Sequence, residues 1–236
     1  VVIGLANAGK SSIVQKLTGA KTEVADYPVS TRVPQPGMLR YEDIQFQLVD
    51  LPPLIPGSSE WNRRVIGLAR NADALIIVLS ADSDLYNQYI VIKKMLEENG
   101  IHLSKPRGRV VIEKERGSGS AGLRVVLSGR IIDGTVDDVR RLLGNYRIYN
   151  GVVKIYGEVS LEDVEKAVFE HISYKPSLIL VNKYDLPGSE DKLAEFIKKA
   201  KPTQPVIPVS ARTGLNLDKV GNELFRQLEI IRVYTK

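Results

Sequence analysis

Cysteine is absent from the 236 residues, which rules out disulfides and thiol chemistry and gives no reason to expect a compartment other than the cytoplasm. Histidine is almost absent too. His102 and His171 stand apart from any clustered carboxylate or thiol, so a surface or capped position is expected for both rather than a metal or catalytic role. No apolar run approaches the roughly 18 residues of a membrane span, so no membrane partner is expected. Neither sign of charge dominates: a formal net charge of +5 permits RNA contact without requiring it. What is present in quantity is apolar material, 43% of the chain, enough for a sizeable core. The length suits one large domain, or one domain carrying an insert. The first residue already lies in an apolar run with no initiator methionine or signal-like segment, and the expectation is that this is a core piece of a longer protein.

The chemistry begins at once. Val1, Val2 and Ile3 precede Gly4-Leu5-Ala6-Asn7-Ala8-Gly9-Lys10-Ser11, a G-x-x-x-x-G-K-S pattern between a strand and a helix, followed by Ser12. Glycines let the backbone close around a triphosphate so that several N–H groups face its oxygens. Lys10 would reach the β- and γ-phosphates, and the Ser11 hydroxyl would ligate Mg²⁺. The helix from about Lys10 to Leu17 turns its positive end to the same anion. An ordinary strand–turn–helix is the bland alternative, and it does not require this spacing.

A phosphate loop does not identify the base. The run Leu178-Ile179-Leu180-Val181 ends in Asn182-Lys183-Tyr184-Asp185. A carboxylate there can accept hydrogen bonds from both N1–H and the exocyclic amine of guanine, a donor pair that adenine lacks. Mispairing would leave buried polar groups unsatisfied, which separates the bases. Lys183 would lay its stem along the purine, and Asn182 would tie this loop to the phosphate loop. Asn and Asp are also ordinary turn formers; the order of the two motifs strengthens the functional reading.

Three weaker segments complete the set. The strand from Ile44 to Val49 delivers Asp50, placed for a Mg²⁺-linked aspartate. Tyr27-Pro28-Val29-Ser30-Thr31 offers a threonine that could close over Mg²⁺ and the γ-phosphate. Val206 to Val209 leads to Ser210-Ala211-Arg212, a loop suited to backbone contact with guanine O6.

With these residues in view the chain resembles the Obg-like P-loop GTPases, in particular the branch of developmentally regulated GTP-binding (DRG) proteins and their archaeal relatives. The resembling stretches are N-A-G-K-S-S at 7–12, D-Y-P-V-S-T at 26–31, D-L-P at 50–52, N-K-Y-D at 182–185 and S-A-R at 210–212. The last residues, Ile231 to Lys236, are similar to the place where that branch enters a small C-terminal TGS domain. The resemblance implies a cytoplasmic guanine-nucleotide switch that works with ribosomes or translation, using GTP/GDP and Mg²⁺. A monomer is expected. It also implies a contribution of Lys10, Asn7 and Thr31 to slow hydrolysis, with K⁺ held at Asn7, although Asn7 could equally hydrogen-bond within its loop. A nucleotide-binding module without meaningful turnover, and an RNA- or ribosome-binding protein with a structural nucleotide, remain as alternatives.

Strands and helices alternate as in an α/β doubly wound sheet. The expected P-loop core covers residues 1–100 and 173–236, and a small ββαβα insert covers 101–172. Within the insert, Arg109 to Glu113 and Leu123 to Leu127 read as strands around Gly117-Ser118-Gly119-Ser120. Thr135 opens a helix with a capping box, Val152 to Tyr156 forms a strand, and Ser160 opens a further helix. Lys105, Arg107, Arg109, Lys114, Arg116, Arg124 and Arg130 concentrate positive charge in its first half. These fit either an RNA or ribosome contact or a solvated sheet edge, and no stacking aromatic is interleaved with them in sequence.

One departure stands out. GTPases carry D-x-x-G where this chain reads Asp50-Leu51-Pro52-Pro53. Pro53 has no N–H to offer a γ-phosphate, and Leu54 stands where a water-positioning glutamine is found in Ras-like enzymes. The expectation is a weakened link between γ-phosphate and the helix that follows.

Overall fold

A computed structural model describes residues 1–19, 35–103, 107–114, 122–169 and 173–233. The elements are β1 (Val2–Gly4), α1 (Lys10–Thr18), β2 (Gln35–Tyr41), β3 (Ile44–Asp50), α2 (Ser59–Arg70), β4 (Leu75–Ser80), α3 (Leu85–Glu97) and β5 (Ile101–His102). They continue with β6 (Gly108–Lys114), β7 (Leu123–Ile131), α4 (Val136–Asn145), β8 (Gly151–Val159), α5 (Leu161–Phe169) and β9 (Ser173–Tyr174). The last are β10 (Ser177–Asn182), α6 (Ser189–Ala200), β11 (Val206–Pro208) and α7 (Lys219–Gln227). Two compact units result, Val1–Ser104 with Lys175–Lys236, and Lys105–Tyr174.

In the first unit a six-stranded sheet runs β11-β10-β4-β1-β3-β2. Every pairing is parallel except the hairpin of β2 with β3. Unbroken apolar runs such as Leu75-Ile76-Ile77-Val78-Leu79 suit strands covered on both faces, and β4 and β10 are buried along their whole length. Alternation then sorts side chains into two cores. Leu75, Ile77 and Leu79 pack with Val65 of α2, Ile92 of α3 and Phe196 of α6. Ile76 and Val78 pack instead with Ile13 and Val14 of α1 and Leu224 of α7. Truncating Ile77 to alanine would cost about 2–5 kcal/mol at such a site. The same winding brings the C-terminal ends of β1, β4 and β10, with the loops that follow them, to one edge of the sheet.

The second unit is a three-stranded sheet in the order β6-β8-β7. β6 pairs antiparallel with β8, and β7 pairs parallel with it after the α4 crossover. The two strands flanking residues 117–120 are therefore not neighbours. β7 runs four residues beyond Leu127, through Ser128-Gly129-Arg130. A Cβ on Gly129 would lie 2.0 Å from the Gly157 carbonyl oxygen, so glycine there admits a close strand rather than a turn. The capping box forms as its residues dictate: Thr135 Oγ1 accepts from Asp138 N, and Asp138 accepts from Thr135 N. Val139 and Leu143 of α4 and Val164 of α5 cover Val153 and Ile155 on one face of this sheet.

Candidate nucleotide-binding site

The phosphate loop bends tightly between β1 and α1. Asn7 and Gly9 both have positive φ, 61° and 86°. A Cβ on Gly9 would stand 2.2 Å from Asn182 Nδ2, so only glycine fits. Lys10 is buried, and its ammonium donates to the carbonyls of Gly4 at 3.4 Å and Leu5 at 3.1 Å, which holds it in the middle of the loop. Ser11 Oγ donates to Asp50 Oδ2 at 2.5 Å. Two hard oxygens from α1 and the end of β3 thus meet beside Lys10. This donor set fits Mg²⁺, which takes one or two protein oxygens and fills its octahedron with phosphate and water. Ser12 also borders the cleft. Asn7 is exposed, and its side chain has no hydrogen-bond partner among the described residues. Tyr27 to Thr31 lies outside the described residues, so the threonine expected over Mg²⁺ has no placement.

At the other end of the cleft, Asn182 joins three loops. Its Nδ2 donates to Ala8 O at 2.9 Å, and its Oδ1 accepts from Ala211 N at 3.0 Å. Asp185 follows on a turn whose Leu186 N bonds to Lys183 O. The Asp185 Oδ1 accepts from Ser210 Oγ at 2.6 Å, and Oδ2 faces the Arg212 guanidinium at 2.5 Å. The Ser210 bond first, with a local backbone hydrogen bond and the Arg212 charge, holds this carboxyl below the usual aspartate range. A cleft of about 480 Å³ is lined by Gly9, Ser12, Asn182, Lys183, Asp185 and Arg212, among others. Lys183 Nζ pairs with Asp82 Oδ2 at 2.6 Å, and this pairing holds the Asp82 carboxyl low. Asp82 was not a candidate in the sequence. The pair is separated by 101 residues, and only the adjacency of β4 and β10, with Ser80 opposite Asn182, brings it together.

The segment after Asp50 is held by its own bonds. Leu54 N donates to Gly4 O at 3.0 Å, and the Leu54 side chain is buried. Ile55 N donates to Asn62 Oδ1 at 2.9 Å, while Asn62 Nδ2 returns a bond to Ile55 O at 2.8 Å. Trp61 Nε1 donates to Pro53 O at 2.8 Å. Pro53 has no N–H, and those of Leu54 and Ile55 are engaged within the protein. Pro53 was expected to weaken the link between γ-phosphate and α2, and the segment is held instead by bonds to β1 and to α2.

Of the two histidines, His102 has a buried Nε2 without a hydrogen-bond partner among the described residues, and His171 lies outside them. Among the described residues no group of three or more His, Asp or Glu is placed to hold a metal. No helix among them is long and apolar enough to cross a membrane.

A phosphate loop after β1, an N-K-x-D turn after β10 and a doubly wound sheet between them define a P-loop GTPase domain. Residues 1–114 match the family described as 50S ribosome-binding GTPase, and residues 121–230 match the C-terminal region of the MMR_HSR1 domain. A GTP-binding protein of Methanocaldococcus jannaschii is 34% identical over 99% of this chain and 59% of its own length. Ribosome-interacting GTPase 1 of Saccharomyces cerevisiae is 30% identical over 99% of this chain and 62% of its own. Developmentally-regulated G-protein 3 of Arabidopsis thaliana is 30% identical over the whole chain and 62% of its own length. The chain carries a P-loop GTPase domain and is similar, along nearly its whole length, to the developmentally regulated GTP-binding proteins. It spans about three fifths of the length of these relatives. Among solved structures, Era of Aquifex aeolicus bound to GDP and aluminium fluoride superposes with a TM-score of 0.53 at 15% identity, over 98% of this chain and 56% of that one. A bacterial selenocysteine-specific elongation factor gives 0.53 at 14% identity, over 98% of this chain and 28% of that one. At such identities the likeness carries the fold alone.

Proposed function

We infer that this chain is a guanine-nucleotide switch that binds GTP and GDP with Mg²⁺ and hydrolyses GTP slowly, in the cytoplasm, as a monomer. The observation that carries this is Asn182. One amide binds the phosphate loop through Ala8 and the base loop through Ala211, so that Gly9 of the phosphate loop and Asp185 line one cleft. The loop N–H groups and the Lys10 ammonium would neutralise the β- and γ-phosphates, while Asp185 accepts from guanine N1–H and the exocyclic amine. Ser11, Asp50 and Thr31 would hold Mg²⁺, which when bound supplies positive charge to the phosphate oxygens. The Leu54 side chain has no atom to orient water, so this position provides no water-directing group, and the turnover we propose is slow. Asn7, exposed at the loop tip, would present its amide oxygen to K⁺ near the β–γ bridge. The P-loop core is assigned to residues 1–100 and 173–236, and the insert to 101–172. Calorimetric titration with GTP, GDP and ATP tests the reading, which fails if ATP binds as tightly as GTP.

A ribosomal or RNA contact through the insert is a second reading, and one observation favours it. The register puts Tyr156, exposed on the uncovered face of β8, across from Arg109 of β6 and Ser128 of β7. Arg124 lies on the same face. Lys154 and Arg130 are matched by Glu113 and Glu158, but no ion pair engages Arg109 or Arg124 among the described residues. An aromatic beside unmatched arginines is the pattern that stacks on bases and tracks phosphate. That one relative is a ribosome-interacting GTPase points the same way. Co-sedimentation with ribosomes in GTP and GDP, with Tyr156→Ala and Arg109→Ala as comparisons, tests it. Undiminished co-sedimentation of both variants would remove this face from the contact.

A further inference from the structure

The guanidinium of Arg212 lies 2.5 Å from Asp185 Oδ2, where the proposed base contact would fall. The chemistry of the pair is specific. Guanine's recognition edge, N1–H and the amine on C2, is itself an H–N–C–N–H donor fork, and an arginine head presents the same fork in the same plane. Ser210 Oγ already occupies a lone pair of Oδ1 at 2.6 Å, so Oδ2 is the oxygen that guanine needs most. We propose that Arg212 is an intramolecular competitor of guanine: it covers Asp185 Oδ2 with a matched donor group and must swing away before the base can bind.

Exposure makes the swing feasible. The Asp185 side chain is 14% exposed and fixed by Ser210, whereas that of Arg212 is 75% exposed and can leave without disturbing the core. Both residues line the same cleft. A side chain that holds the carboxylate charged and oriented also slows capture of the ligand, so nucleotide affinity depends on two opposing terms. Adenine has no matching fork and cannot displace the arginine by exchanging like for like. The competitor therefore adds discrimination as well as delay.

This inference rests on Asp185 being the base acceptor, and the test separates the two. Association of a fluorescent GDP analogue is followed by stopped flow for the parent, Arg212→Ala, Arg212→Gln and Asp185→Asn. Removing a part-exposed ion pair that competes with the ligand should raise the association rate and the affinity by about twofold to fivefold in both Arg212 variants. Raising the salt concentration screens phosphate attraction in every variant alike, so the ratio of the Arg212→Ala rate to the parent rate should fall toward one as the parent's ion pair is screened as well. Unchanged or weaker binding by both Arg212 variants overturns the proposal, and weaker binding would mean that the side chain contacts the bound base instead. If Asp185→Asn binds GDP as the parent does, the base acceptor itself is wrong. If that variant loses affinity while the Arg212 variants stay level, only the competitor is.

Discussion

The base loops and the segment after Asp50 are built on different principles. At the base end, recognition is carried by side chains standing on strand ends: Asn182 holds two loops together, and Ser210 orients Asp185. At the switch end, the segment from Pro53 to Asn62 is fixed by its bonds to the protein, through Leu54 N, Ile55 N, Asn62 and Trp61. The first end aims polar atoms at a ligand; the second turns its backbone donors inward. Such a protein should read which base it holds strongly and how many phosphates it holds weakly. A ligand can shift a conformational equilibrium only as far as its affinities for the two states differ.

The sharpest way to break this contrast is Asp185→Asn. Two hydrogen bonds to a charged acceptor are disrupted, so GTP affinity should fall about a hundredfold or more, with xanthine nucleotide now accepted; calorimetry with both nucleotides reads it. Ser11→Ala comes next. It should lower nucleotide affinity about tenfold in Mg²⁺ and little in chelator, with the circular dichroism spectrum intact. An unchanged dependence on Mg²⁺ would remove Ser11 from the metal site.

The contrast also shows what could be read from residue order. G-x-x-x-x-G-K-S and N-K-Y-D were legible because each follows an apolar strand and carries its chemistry within a few residues. Pro53 was legible only as a missing donor; that Asn62 and Trp61 would clamp the segment needs the first turn of α2 to pack against it. Asp82 with Lys183, and Tyr156 with Arg109, were not legible at all. Both pairs are products of strand adjacency and register, which no local pattern records. β7 was read too short because Ser128-Gly129 has the composition of a turn, while the approach of Gly157 makes it a strand.

Smaller effects sharpen the switch end. Turnover of the parent should be several-fold faster in KCl than in NaCl, and Asn7→Ala should abolish the difference; equal rates in the parent would exclude a potassium role. Pro53→Gly restores an N–H to the loop. It should raise the preference for GTP over GDP by about threefold, the worth of one modest hydrogen bond. It should also make hydrogen exchange at residues 53–62 nucleotide-dependent where the parent shows little change. A parent whose loop is already ordered by GTP alone would show that another donor performs this task.

The place of β10 in the sheet has a consequence for how the protein is made. β10 lies between β4 and β11, yet it leaves the chain only after the whole insert has been synthesised. Until then β4, apolar on both faces, is the unfinished border of a partial sheet, open to pairing with any other extended chain. The insert has the same timetable in miniature, since its central strand β8 is the last of its three to emerge. A nascent chain halted before residue 177 therefore presents a sticky, incomplete edge. Release of fragment 1–100 alone should yield aggregates rather than a small stable domain.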